Sequence, residues 1–132
     1  MSGTTWLRIA ALLGGTAVAA GAFGAHGLKE RLDARALEVF ETAAKYQMYH
    51  ALALLAVGLL AATGRTGLGV TLAGWSFLLG TLIFSGTLYV LALTGIRWLG
   101  AITPIGGVFL ILGWIALIVG AGAPQKVTAV EV

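Results

Sequence analysis

Few residues in this chain of 132 have side chains that do chemistry, and they gather in a few places. His26 sits in a stretch of glycine and alanine, GAFGAHGL. Tyr46, Gln47, Tyr49 and His50 fall within five residues, and Ser85 and Tyr89 are one helical turn apart. Thr103 precedes one of only two prolines, Pro104. Two histidines are the minimum for bis-histidine ligation of a haem or metal ion. A tyrosine, a glutamine and hydroxyls suit a neutral pocket that hydrogen-bonds a small ligand. Catalytic patterns are missing. The sequence has no paired carboxylates within an apolar run, no Ser-His-Asp order and no phosphate loop. The glycines of GAFGAHG are three apart, but no strand precedes them, so a nucleotide reading fails. Without cysteine there is no thiolate catalysis, disulfide, zinc–thiolate site or iron–sulfur cluster. No catalytic residue, metal site or cofactor is assigned, and the expectation is a protein that is not an enzyme.

The elements that must position these residues are apolar. The chain is 59% hydrophobic and 10% charged, with mean hydropathy +0.98. A soluble domain of this size leaves too much surface in water to hide so much apolar area. The solvent is therefore a bilayer. Net charge is +3, yet the eight basic residues form no dense run. That excludes nucleic acid as a partner and leaves a weak preference for anionic lipid headgroups.

Four segments approach the roughly 20 residues a helix needs to cross the hydrocarbon. They are residues 5–25, 46–63, 69–93 and 98–121. Only helices satisfy the backbone internally there. The first could be read as a signal peptide, with Arg8 as the n-region and Ala20-Gly21-Ala22 as the cleavage site; a retained helix is expected instead. The fold class is an all-α membrane protein, an antiparallel bundle of four transmembrane helices in one domain over residues 1–132. Residues 33–45 form an amphipathic helix between the first and second spans. Asp33 suits its N-cap. Arg35, Glu38, Glu41 and Lys45 share one side, Leu37, Phe40 and Ala44 the other. It lies on the membrane surface or leads directly into the second span. The short tail after Ala123 is expected to fray.

Alternating direction puts His26, the start of the second span, Tyr89, Arg97 and Thr103 on one membrane side. His50, Tyr89 and Thr103 would lie about 6–8 Å inside it. That side carries Lys29, Arg31, Arg35, Lys45 and Arg97; the other has Arg8, Arg65 and Lys126. The bias puts the long loop in the cytoplasm.

Twenty glycines are patterned for packing. Gly106, Gly113 and Gly120 repeat every seven residues, as do Gly100 and Gly107, Gly67 and Gly74 with Thr81, and Gly80 with Thr87. Ala11, Gly15 and Ala19 form a small-xxx-small series, and so do Ala17, Gly21 and Ala25. Small residues let helices approach closely in lipid. This predicts a tight bundle and possible packing of a second copy as a homo-oligomer. Pro104 either breaks the fourth span after an N-cap at Thr103, which would build a polar site, or only kinks it. Gly24, Ala25 and Gly27 remove bulk around His26. The expectation is that His26 turns inward, toward Tyr46, Gln47, His50 or Tyr89.

Three stretches together, GAFGAHGL, FETAAKYQMYHALALL and FSGTLYVLALTG followed by ITPIGG, resemble a family of small bacterial membrane proteins known as domain of unknown function 423, or UPF0382. The chain is similar also to the eukaryotic transmembrane protein 256. The resemblance runs from about Leu7 to Val119. It implies a multi-pass protein of the bacterial inner membrane and carries no activity, substrate or cofactor. Matching positions are Gly24, His26, Gly27, Phe40, Tyr46, Gln47, Tyr49, His50, Ser85, Gly86, Tyr89, Thr103, Pro104, Gly106 and Gly107.

The expected function is a non-catalytic protein that binds lipid or a small ligand, or serves as an accessory subunit. Its pocket would be lined by His26, Tyr46, Gln47, His50, Ser85, Tyr89 and Thr103, on a scaffold set by Gly24, Gly27, Pro104, Gly106, Gly107, Gly113 and Gly120. An oligomeric transporter or channel and a bis-histidine haem or metal protein are the alternatives. Membrane lipids are the expected partners.

Overall fold

The computed structural model describes residues 1–125, so the tail from residue 126 onward, expected to fray, lies outside the description. Four helices and no strand occur among these residues: α1 (Gly3–His26), α2 (Ala34–Ala62), α3 (Leu68–Thr94) and α4 (Leu99–Gly122). Three of them, α1, α3 and α4, are long and apolar enough to cross a membrane. α2 is not among them, because Tyr46, Gln47, Tyr49 and His50 interrupt its apolar half and charges fill its first turns.

Local chemistry sets the helix ends. Ser2 caps α1 by accepting from the Thr5 amide at 3.2 Å. Asp33 caps α2, accepting from the Ala36 amide at 2.7 Å. The segment expected to be a separate amphipathic helix is instead the beginning of α2, which runs unbroken for 29 residues, about 43 Å. Of the two courses open to residues 33–45, the chain takes the one that leads straight into the next helix. Gly64 (φ 88°) turns the chain from α2 into α3, and Gly95 (φ 70°) ends α3 in the left-handed conformation that favours glycine. α4 is entered through tight i→i+3 turns, from Leu99 to Ile96 and from Gly100 to Arg97. Pro104 lies inside α4 and does not break it. Thr103 is therefore no N-cap; Trp98 holds that place. At the second turn the proline forfeits a single bond, to the Gly100 carbonyl, and the helix tolerates the loss.

Consecutive helices pack antiparallel in chain order, with α2 and α3 in the middle and α1 and α4 at the edges. The α3–α4 seam follows the glycine heptad. A Cβ on Gly113 would sit 2.7 Å from the Phe77 ring, and one on Gly120 2.6 Å from the Val70 nitrogen. One on Gly106 would strike the Phe84 backbone. Val70, Phe77 and Phe84 are themselves seven apart, so the two heptads run past each other in opposite directions. Gly80 receives Leu110 in the same register, a Cβ there falling 2.7 Å from Leu110 Cδ2. Gly107, one residue beside the seam, meets Phe84 only at an ordinary 3.7 Å. Between α1 and α2, Gly3 abuts Ala62, and Gly58 admits Leu7. Gly74 of α3 accommodates Trp6 of α1.

These close approaches leave one dry half. Trp6, Ala10, Ala53, Leu54, Val57, Val70, Ala73, Phe77 and Leu110 form a continuous apolar core toward the end bearing the α2–α3 turn. The end of α4 meets the α2–α3 turn there as well: Arg65 donates to the Ala121 carbonyl at 2.6 Å, and Gln125 to the Thr63 carbonyl at 3.2 Å. The small series Ala11, Gly15 and Ala19 is exposed rather than packed into a close seam, and a Cβ added to Gly15 or Gly21 would meet nothing within 4 Å.

Candidate functional site

The opposite half holds the polar side chains. Gln47 is buried, with 7% of its surface accessible, in the middle of α2. Its amide nitrogen donates to the Leu13 carbonyl at 2.9 Å and to Thr16 Oγ1 at 2.8 Å, both on α1. Its oxygen accepts from the Tyr89 hydroxyl at 2.7 Å, from α3. The Leu13 carbonyl can only accept, which fixes which end of the amide faces α1. One side chain thus ties three helices.

Three further bonds cross between helices. Ser85 Oγ donates to the Ala43 carbonyl at 2.8 Å, joining α3 to α2. Thr87 and Thr103 share a hydroxyl contact of 2.7 Å between α3 and α4. His50 lies between the Tyr46 carbonyl, 2.8 Å from Nδ1, and the Trp114 indole N–H, 3.1 Å from Nε2. A carbonyl only accepts and an indole only donates, so the imidazole is the neutral Nδ1–H tautomer with both nitrogens engaged.

Gln47, His50, Ser85, Tyr89 and Thr103, expected to line a ligand pocket, are all part of inter-helix bonds. They do not form one constellation. Gln47 and Tyr89 face α1, His50 faces α4, and Thr103 pairs with Thr87. Tyr46 contributes its carbonyl, while its ring is 40% exposed and packs at 4.8 Å from Phe84. His26 corrects the expectation: it is exposed at the C-terminal end of α1 and makes no side-chain hydrogen bond among the described residues. The small residues beside it serve another ring. A Cβ on Gly24 would lie 3.0 Å from Phe40, so this glycine lets α2 approach, and Phe40 closes a small cluster with Leu28 and Ala92. Gly27 has ordinary helical φ (−81°), and its lack of a Cβ makes room for the Phe23 ring. With His26 outside and both His50 nitrogens engaged, the bis-histidine arrangement does not assemble. No group of three or more metal-binding side chains occurs among the described residues.

Thr16, Trp114 and Thr87 were not legible as partners. Thr16 looks like one more small residue in a small-residue span, and Trp114 like lipid-facing bulk. Only the fold sets them against Gln47, His50 and Thr103.

Two cavities flank the Gln47–Tyr89 bond in the valley between α1 and α3. The larger, about 530 Å³, is lined by Thr16, Ala19, Ala20, Phe23, Phe40, Gln47, Tyr89 and Leu93. The smaller, about 180 Å³, reaches Leu13, Thr81 and Ser85. Thr81 Oγ1 beside it is the one buried side-chain oxygen or nitrogen without a partner among the described residues. Small residues of α1 open the valley to the outside of the bundle, and the hydrogen-bonded row forms its floor.

The chain matches the sequence model of a family described as a protein of unknown function (DUF423) over residues 20–107. A UPF0382 membrane protein of Staphylococcus saprophyticus is 55% identical over 104 residues, covering 79% of this chain and 85% of the relative. One from Bacillus subtilis is 50% identical over 106 residues, covering 80% and 85%. No solved structure matches the chain.

Proposed function

The chain belongs to the DUF423 family of bacterial membrane proteins, and from that premise we propose that it is a non-catalytic, four-span protein that holds the apolar body of a lipid or similar small ligand in the valley between α1 and α3. The observation that carries this is an open groove of about 530 Å³: apolar walls from Ala19, Ala20, Phe23, Phe40 and Leu93 over a floor of Thr16, Gln47 and Tyr89. An apolar-walled cavity with a few fixed polar groups is the usual form of a small-molecule site. Here Gln47 has both donors committed within the protein, so the floor orients a ligand weakly and the walls supply most of the contact. We take α2 as the fourth span because it runs antiparallel between α1 and α3, two helices of membrane-crossing length.

Support for a binder over a through-channel comes from the asymmetry of the two halves. The polar row stops near Thr81, and beyond it Phe77, Trp6, Leu54 and Val57, none more than 1% exposed, close the way.

Photo-crosslinking with a diazirine-bearing fatty acid in proteoliposomes tests the proposal. Labels are expected on peptides carrying Ala19, Ala20, Phe23 and Leu93, and Ala20→Trp, which fills the valley, should remove them. Even labelling around every lipid-facing stripe, unaltered by Ala20→Trp, would refute it.

A further inference from the structure

The outward face of α2, turned away from the valley between α1 and α3, differs from that of every other helix. α3, α4 and the part of α1 between Arg8 and His26 carry no ionised side chain. On α2 the exposed residues Glu38, Glu41 and Lys45 precede Tyr49, Leu52, Leu55 and Leu59. The change from charged to apolar falls after Lys45, about three turns into the helix.

Neighbouring helices fix how deep that is. Tyr46, the next residue, packs its ring 4.8 Å from Phe84 of α3, and Gly106 of α4 abuts the same Phe84. Phe84 stands about 15 Å from the Thr94 end of α3, and Gly106 about 10 Å from the Leu99 start of α4. The two helices, of 27 and 24 residues, are about 40 and 36 Å long, against about 30 Å of hydrocarbon. Lys45 therefore lies roughly 7–10 Å inside the hydrocarbon edge, and Glu41, one turn earlier, just inside it. At this level α3 and α4 turn Leu82, Ile105 and Val108 outward instead.

Neither charge has a side-chain partner in its own chain among the described residues. Glu41 and Lys45 have the i,i+4 spacing that favours pairing along a helix. Yet the one ion pair among the described residues joins Arg35 to Glu38, at 4.0 Å. Charged groups at membrane depth are costly, and they face protein or pair with one another. An acyl chain offers them nothing. The stripe itself supplies the complement, one acid and one base a single turn apart.

We propose that this face binds a second copy of the chain, α2 against α2, each Glu41 carboxylate paired with the second copy's Lys45 ammonium. Both copies insert in one orientation, so the two-fold axis stands along the membrane normal and the two α2 helices run parallel. A stripe that repeats every seven residues then meets itself in register: Lys45, Leu52 and Leu59 at one position, Glu41 and Leu55 at the other. The leucines pack across the axis, and the two crosswise pairs neutralise four charges above them. The proposal uses the four-span arrangement but not the ligand valley, which lies on the opposite side of α2, so photolabelling of the valley can fail while pairing holds.

The chain has no cysteine, so single cysteines report the contact. In dilute proteoliposomes treated with a membrane-permeant oxidant, Leu52→Cys should give a disulfide-linked dimer and Ile115→Cys, on the outward stripe of α4, should not. In the Leu52→Cys background, Glu41→Lys or Lys45→Glu alone should lower the dimer yield at least about fivefold, because like charges then face each other. Reconstituted together, these two variants should form mixed dimers at the original yield while like-with-like dimers stay scarce. An ion pair within one chain cannot produce that rescue. Native mass spectrometry of the unsubstituted chain from nanodiscs should give twice 13.5 kDa. A monomer there, with lipid alone or another protein covering the stripe, overturns the proposal. So do equal crosslinking of the two cysteines, indifference to the charge reversals, or a mixture that pairs no better than either variant alone.

Discussion

Replacing Gly113 with alanine should lower stability although it adds only one methyl group and helix propensity favours it. A Cβ at Gly113 would lie 2.7 Å from both Cδ1 and Cε1 of Phe77, well inside the ordinary contact distance of 3.4–4 Å. Either the ring or the helix must therefore move by at least about 0.7 Å. The ring is not free to move. Phe77 is fully buried, with its centroid 5.0 Å from Trp114 and 5.7 Å from His50. Separating α4 from α3 would also loosen Gly106 against Phe84 and Gly120 against Val70, since all three share one seam. Overpacking of this kind costs about 1–3 kcal/mol, more than the about 1 kcal/mol that alanine gains over glycine in a helix. Gly107→Ala is the matched control on the same helix. Its Cβ would meet Phe84 at an ordinary 3.7 Å, so the propensity gain should show as an unchanged or raised midpoint. Thermal unfolding in detergent, followed by loss of the monodisperse peak, reads both variants. Adding Phe77→Leu to Gly113→Ala should restore part of the loss, giving a favourable coupling energy between contacting sites. If Gly113→Ala is as well tolerated as Gly107→Ala, or if Phe77→Leu and Gly113→Ala are simply additive, the close seam does not exist.

Thr81→Val should leave the thermal midpoint unchanged or raise it, because Thr81 Oγ1 has no partner among the described residues, while Ser85→Ala on the same face should lower the midpoint, at a cost of about 1 kcal/mol in stability, through loss of its bond to the Ala43 carbonyl; equal losses would refute the assignment. His50→Phe should cost about 1–3 kcal/mol in the same assay by stranding the Trp114 indole and the Tyr46 carbonyl, and His26→Ala should cost nothing measurable; a destabilising His26→Ala would restore the inward histidine. Cysteines introduced at Ser2 and Gln125 should react from the same membrane side and one at Lys29 from the other; opposite reactivity of Ser2 and Gln125 rules out four spans.

Hydropathy, spacing and caps carried a great deal. An apolar chain in a bilayer must form helices, and the limits of α1, α3 and α4 lie within a few residues of the segments 5–25, 69–93 and 98–121, whereas α2 begins at Ala34, twelve residues before the segment 46–63, because the Asp33 cap starts a helix that nothing interrupts. Asp33 before Ala34 and Gly95 after Thr94 act through neighbours only a few residues away. The heptad of Gly106, Gly113 and Gly120 likewise announced a close seam, since a seven-residue stripe of small residues permits little else. What the stripe met, Phe84, Phe77 and Val70, depended on the register of a second helix. The same limit decided the polar residues. Gln47, His50, Ser85 and Tyr89 were recognisable as groups too polar for lipid, but each inter-helix bond needs a partner 31 or more residues away, on a helix whose rotation no local rule fixes. Thr16 and Trp114 were hidden for that reason. His26 went the other way: the glycine beside it that seemed to bring the ring inward makes room for Phe40 instead, and only the packed helices show which of two neighbours a missing side chain accommodates.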